Sequence, residues 1–207
     1  MDDPIVFIVD DDADALRALA RLVGSAGFEV QAHRSPVAFL EAHDPHVPGC
    51  AVLDIAMPGL NGLELQQALT DRGVTRPVVF LTGRGDVPTS VRAMKAGATD
   101  FLTKPVDEEA LLSAIEAAVR LDAEGRDRRR EIESLRDRLA TLTARQTEIL
   151  VHVVAGRLNK QIAGDLGIAE KTVKVYRHEV MEKMGARSLA DLVRMAERLG
   201  LDLPPGR

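Results

Sequence analysis

In four places along the 207-residue chain, an apolar run ends in a group able to do chemistry. Asp10-Asp11-Asp12 follows residues 5–9, Asp54 follows 50–53, Thr82 follows 78–81, and Lys104 stands after 101–102 and before Pro105. Carboxylates at close range repel one another unless a cation sits among them. A hard divalent ion with oxygen ligands answers that need, and Mg2+ suits it best, because it keeps waters and accepts phosphate oxygens. A hydroxyl (Thr82) and an ammonium (Lys104) opposite a metal-bound carboxylate form a site for phosphoryl oxygens, with Asp54 as the nucleophile. Each residue alone has an ordinary reading. An Asp after a strand is commonly a helix cap, as Asp12 or Asp14 would be, a strand-end Thr is usually structural, and a Lys-Pro is usually a surface turn. The weight lies in the joint pattern and its chain order.

Such a site needs elements that bring these residues together. Apolar runs at 5–9, 28–32, 50–53, 78–81 and 101–102 alternate with helical patterns at Leu16/Leu19/Leu22/Val23, Val37/Phe39/Leu40, Leu63/Leu65/Leu69, Val91/Met94/Ala98 and Leu111/Leu112/Ile115/Val119. Five successive βα units predict a doubly wound α/β fold with a parallel sheet of order 2-1-3-4-5. Runs 5–9 and 78–81 read as central strands buried on both faces. Ligands of such sheets sit at the carboxyl ends of the strands beside the topological switch point, where Asp10, Asp11 and Asp54 would converge.

Composition narrows the field. Apolar residues make up 45% and charged residues 29% of the chain, ordinary for a globular protein. With five Phe, one Tyr and no Trp, little is left for an aromatic ligand pocket or a base-stacking platform. Cys50 is the only cysteine, which excludes an intramolecular disulfide and a Cys-rich metal site. The acidic opening Met1-Asp2-Asp3-Pro4 is unlike a signal peptide, and no stretch approaches membrane-spanning length. A cytoplasmic location without membrane contact is expected. The net charge of −5 is unevenly spread: 10 Lys/Arg against 18 Asp/Glu (−8) in residues 1–120, and 17 against 14 (+3) in residues 121–207. That asymmetry fits a cation partner in front and a polyanion behind.

Residues 121–141 form a charged segment in which Ile132, Leu135, Leu139 and Leu142 make a short heptad-like seam. It reads as a helical linker continuing the preceding helix, with the seam available for pairing in a dimer and Gly125 as a weak point. Residues 142–207 predict an all-α unit with helices near 144–156, 159–166, 170–184 and 188–199. Ala163 and Gly167 permit the close approach and tight turn of a helix-turn-helix. In the next helix Val173, Tyr176, Val180 and Met184 share a buried face, while Lys171, Lys174, Val175 and His178 lie opposite, suited to a DNA major groove.

The front half resembles the response-regulator receiver family. Asp10-Asp11 matches its acidic pair, Asp54 its phosphoacceptor, Thr82 its switch hydroxyl and Lys104 its lysine, and the stretches from Val52 to Gly59 and Lys104-Pro105 look like family signatures. The resemblance implies Mg2+ held by Asp11, Asp54 and the Ala56 carbonyl with Asp10 a water away, a cis peptide between Lys104 and Pro105, and Phe101 as switch aromatic. The run from Leu81 to Pro88 resembles the nitrogen-fixation-type subfamily, here the FixJ/NarL type. The run from Leu142 through Arg177 resembles the LuxR-type DNA-binding domain. By that resemblance Lys174, Val175 and His178 face bases, and Lys160, Thr172 and Arg177 serve backbone contacts or support. Ala169 stands where a capping Ser is common, and His178 where some relatives carry Lys.

Together these readings predict a receiver over 1–120, a linker over 121–141 and a DNA-binding unit over 142–207. The expected function is a transcriptional regulator of a two-component system, not an enzyme with its own turnover substrate. A sensor histidine kinase would phosphorylate Asp54. Phosphorylation would draw in Thr82 and Phe101 and reshape the fourth helix, fifth strand and fifth helix; that surface would then pair two receivers, giving a homodimer on double-stranded promoter DNA, or release the DNA-binding unit. RNA polymerase is a further candidate partner. Three rivals fit less well. The first is a phosphotransferase or phosphatase using Asp54 on a diffusible substrate, but the haloacid-dehalogenase type wants a second Asp where Ala56 stands, and no Gly-x-x-x-x-Gly-Lys loop serves nucleotide. A quorum-sensing regulator wants an aromatic pocket in front. The third is an interaction module whose helix-turn-helix no longer binds DNA.

Overall fold

The structure, a computed structural model, describes residues 3–83 and 97–201. The helix expected around Val91 and Met94, the run from Arg84 to Pro88, and Pro204-Pro205 lie outside the described residues. The chain divides into two compact units, Met1–Arg126 and Asp127–Arg207.

In the first unit, strands β1 (Ile5–Val9), β2 (Glu29–His33), β3 (Gly49–Asp54), β4 (Val78–Thr82) and β5 (Asp100–Thr103) form one parallel sheet of order β2-β1-β3-β4-β5. Helices α1 (Ala13–Ser25), α2 (Pro36–Ala42), α3 (Gly62–Asp71) and α4 (Glu108–Ala140) accompany it. Strands β1, β3 and β4 are buried throughout, and β2 and β5 are the more open edges. Because side chains alternate across a strand, the sheet splits its apolar residues between two cores. Val6, Ile8, Val52, Val79 and Leu81 pack with Leu16, Leu19 and Val23 of α1 and Leu111, Ile115 and Ala118 of α4. Phe7, Val9, Leu53, Val78 and Phe80 pack on the other face with Phe39 of α2 and Leu65 and Leu69 of α3. Each fully buried side chain of this size contributes about 1.5–3 kcal/mol relative to exposure, and these two layers hold the strand ends in place.

Helix α4 is unbroken through Gly125. Asp122 of α4 is buried and accepts from the Gly49 N–H at 2.8 Å. Arg126 donates to Asp122 at 2.6 Å and to the carbonyls of Pro45, His46 and Val47. The charged stretch thus begins inside the first unit's packing.

In the second unit, α5 (Ala144–Val154), α6 (Asn159–Leu166), α7 (Glu170–Met184) and α8 (Leu189–Arg198) enclose a core of Ile149, Leu150, Val153, Ile162, Val173, Val180, Met184 and Leu192. Three leucines of the 132–142 seam are covered within the chain. Leu135 is buried, and Leu139 and Leu142 pack against this core.

Candidate functional site

The first site grows out of strand ends. β1 runs directly into Asp10, and β3 ends on Asp54, in adjacent strands with Val9 opposite Leu53. Asp10, Asp11 and Asp54 offer carboxylate oxygens that all lie within 4.8 Å of one another; Asp10 and Asp54 are buried and Asp11 is exposed. All three donors are hard oxygens, the set that a Mg2+ ion takes. Asp12 caps α1, accepting from the Asp14 and Ala15 N–H groups, and these bonds hold its carboxyl below the usual carboxylate range.

Lys104, just past β5, reaches into the cluster. Its Nζ lies 2.6 Å from Asp10 Oδ2 and 2.7 Å from Asp54 Oδ1. Burial works against the ammonium, but hydrogen bonds and charge from Asp10 and Asp54 more than offset it, so Lys104 is held above the ordinary lysine range. Asp10 is aimed by its other oxygen, which accepts from the Asp12 N–H at 2.9 Å. The Lys104–Pro105 peptide is cis, and the Lys104 N–H donates to the Thr82 carbonyl at 2.7 Å.

Thr82 is buried at the end of β4, next to Leu81, which pairs with Asp54. Phe101 is half-buried, pairs with Phe80 and packs on the core containing Leu53 and Met57. Ala56 is exposed two residues beyond β3. The loop after β3 is closed by Asn61, whose side chain and that of Glu64 cap α3 reciprocally. A Cβ on Gly62 would stand 2.4 Å from the Asp54 carbonyl oxygen, so only glycine lets α3 begin this close to β3.

The second site is the pair α6–α7. Gly167 turns the chain between them at φ 63, ψ 34, a left-handed conformation favourable to glycine. Lys171, Lys174, Val175 and His178 are exposed along α7, with Val175 at 50%. Lys174 makes only a 3.9 Å exposed pair with Glu170, an interaction worth little in water. Lys160 is exposed in the first turn of α6. Thr172 and Arg177 are half-buried, and Arg177 donates to Asn159 Oδ1 at 3.2 Å, which ties α7 to the start of α6. Ala169 supplies no side-chain cap, yet α7 starts at Glu170 with an acidic first turn.

Both units match known families. Residues 6–116 match the response regulator receiver domain, and residues 140–196 match the LuxR family of bacterial regulatory proteins. The chain is 46% identical over 197 residues to Nodulation protein W of Bradyrhizobium diazoefficiens, covering 95% of this chain and 87% of that protein.

The chain is a two-component response regulator.

This regulator is also 47% identical to the transcriptional regulatory protein FixJ of Azorhizobium caulinodans, over 95% of this chain and 93% of that protein. The solved structure of the response regulator StyR is similar at a TM-score of 0.83 and 49% identity, covering 95% of this chain and 99% of StyR. The regulator belongs to the FixJ/NodW/TodT family, a group of transcription factors rather than catalytic enzymes. Its receiver implies a histidine kinase partner and its helix-turn-helix implies DNA binding. Among its described residues no helix is long and apolar enough to cross a membrane.

Sequence reasoning missed a second polar cluster in this receiver, at the amino end of the sheet. Arg76 is buried over the Phe7 ring, 4.6 Å from its centroid, and donates to His43 Nε2 at 2.6 Å and to the Asp44 and Val47 carbonyls. Burial, with Arg76 beside it, pushes the His43 imidazole down to about 4. Nothing local to Arg76 or Asp122 signals their burial: the partners of Arg76 and the Gly49 N–H that Asp122 accepts from are tens of residues away.

Proposed function

We propose that Asp54 is the phosphoacceptor and that Mg2+ completes its site. The observation supporting this is the meeting of Asp10, Asp11, Asp54 and Lys104 at one end of the sheet, with Lys104 Nζ within 2.7 Å of two carboxylates. Mg2+, held by Asp11, Asp54 and the Ala56 carbonyl with Asp10 supporting, would neutralise carboxylate and phosphoryl charge. The Asp54 carboxylate oxygen attacks phosphorus, the phosphorus–nitrogen bond of a phosphohistidine in the sensor kinase breaks, and the imidazole leaves with its electron pair. Lys104 then exchanges its Asp54 contact for a phosphoryl oxygen, and the Thr82 hydroxyl donates to another. Phe101 follows Thr82 inward and reshapes the β5 surface.

That surface pairs two phosphorylated receivers. The dimer presents two copies of α7 to half-sites one DNA turn apart in promoter DNA. Lys174, Val175 and His178 face bases; Lys171 and Lys160 meet phosphates; Thr172 and Arg177 support the helix. The functional division is a receiver over 1–120, a helical linker over 121–141 and a DNA-binding unit over 142–207, acting in the cytoplasm with RNA polymerase as a downstream partner. The deciding experiment is Asp54→Asn. Light scattering with acetyl phosphate and Mg2+ should show dimer for the parent and monomer for the variant; equal dimerisation of the two would remove the reading.

A further inference from the structure

We infer that Gln146 is a positioning residue for DNA reading, setting the rotation of α7 through a polar clasp on the side away from the groove. The inference rests on α7 being the helix that reads DNA. Gln146 is 5% exposed, and all of its polar atoms are used. Its Oε1 accepts from the Thr143 N–H at 2.9 Å and from Lys183 Nζ at 2.8 Å, and its Nε2 donates to Glu179 Oε2 at 2.8 Å. Lys183 also donates to the Thr141 carbonyl at 2.9 Å, and Arg138 donates to the Met184 carbonyl at 2.9 Å. Two consecutive turns of α7 are therefore tied to the start of α5 and the end of α4.

The physical need for such a clasp follows from the rest of the packing. Apart from the 3.2 Å Arg177–Asn159 bond near the middle of α7, Val173, Val180 and Met184 hold the helix to the core by apolar contact, which is non-directional, and Met adapts to small shifts. A rotation of about 20° moves a side-chain tip at the helix's outer radius by about 2 Å, well beyond the few tenths of an ångström that a direct hydrogen bond tolerates. Glu179 immediately follows His178 and lies one turn after Val175, so fixing Glu179 fixes the reading stripe.

The amide is required at position 146. Its carbonyl serves Thr143 and Lys183, while its NH2 serves a carboxylate. A glutamate would keep the first two bonds and place one carboxylate against another. The test uses the full-length protein, a duplex selected by the parent from a randomised pool, and an unrelated duplex. Gln146→Glu should lower the ratio of selected to unrelated affinity about tenfold, and Glu179→Gln alone should stay near the parent. Gln146→Glu with Glu179→Gln, which restores a donor facing an acceptor, should return the ratio to within about threefold of the parent.

An unchanged ratio in Gln146→Glu, or a loss that the second substitution does not recover, would overturn the positioning role. So would a parallel fall on both duplexes accompanied by lost helicity, which marks a folding defect. Lys174→Ala separates the two levels. If it leaves selected-duplex affinity intact, α7 is not the reader and the functional reading itself fails. If it weakens binding while Gln146→Glu is silent, only the clasp is wrong.

Discussion

Lys104→Met removes the ammonium from the acidic cluster and keeps most of the side chain's apolar stem. Two charge-assisted bonds, at 2.6 and 2.7 Å, are lost. Asp10 and Asp54, whose side chains are 2% and 6% exposed, then face each other and Asp11 without a counter-ion. Removing one partner of a buried pair costs about 3–5 kcal/mol. The Lys104 side chain is 27% exposed, so solvent screens part of that loss, and its own desolvation is relieved. The expected net cost at low ionic strength is about 2–3 kcal/mol. Urea unfolding followed by far-UV circular dichroism reports both units. Tyr176 is the only tyrosine in a chain without tryptophan, so its fluorescence reports the second unit alone and serves as an internal control. The receiver transition should move to lower urea with the Tyr176 transition unmoved. Saturating Mg2+ should stabilise the variant by at least as much as the parent, about 2.7 kcal/mol at one hundred times the dissociation constant. An unchanged or more stable receiver in the absence of divalent ions would show that Lys104 does not neutralise this cluster. An equal shift in Tyr176 fluorescence would show that the loss is not local.

Gly62→Ala should destabilise the receiver by about 1–3 kcal/mol, because its Cβ meets the Asp54 backbone oxygen at 2.4 Å. It should also slow labelling by acetyl phosphate, and labelling at the parent rate would show that α3's approach is immaterial. Lys174→Ala should lower the slope of log affinity against log salt by about one on selected DNA; parallel lines at several salt concentrations would show that this face of α7 does not meet DNA. His43 is neutral when folded, with its imidazole pushed from 6.5 to about 4. The stability it contributes is present above pH 6.5 and is lost as pH falls toward 4, by about 1–2 kcal/mol after allowing for partial exposure. His43→Gln should flatten that part of the receiver's urea midpoint against pH, and an identical pH curve for parent and variant would refute it.

The sheet was legible because its central strands are nearly uninterrupted apolar runs and the chemical residues stand immediately after them. Residues 5–9 are a strand from end to end, and the Asp that follows lands in the cluster by continuity. The buried face of α7 was legible for the same kind of reason, since Val173, Val180 and Met184 recur at helical spacing. Residues satisfied by distant partners were not legible. Asp122 sits in a run of charges that reads as a solvated linker, and its burial depends on the Gly49 N–H, 73 residues away. The leucine seam of 132–142 carries a true helical period, but period alone does not say whether the covering surface is a second copy or the same chain. Gln146 could have been suspected from Thr143-x-x-Gln146, which predicts a capping box, but its bonds to Glu179 and Lys183 depend on how α5 and α7 cross.

The placement of Asp122 also constrains how the receiver can switch. β3 carries Asp54 at one end and, at the other, the Gly49 N–H held by Asp122. All six residues of that strand are buried, between β1 and β4 on either side. Moving β3 would break two ladders and disturb both cores at once, a cost far above the 1–3 kcal/mol typical of coupling between sites. β5 has a described neighbour on one side only, and its residues are half-buried or exposed. On the proposed function, a dianion on Asp54 would therefore work against the softer side of the site, through Lys104, Thr82 and Phe101, while β3 and the part of α4 packed on it would act as the frame. On this argument Asp122→Asn, which keeps an acceptor for the Gly49 N–H but discharges the Arg126 pair, should lower receiver stability and leave the rate of Asp54 labelling unchanged. A labelling rate that fell in step with stability would place the amino end of β3 among the moving parts.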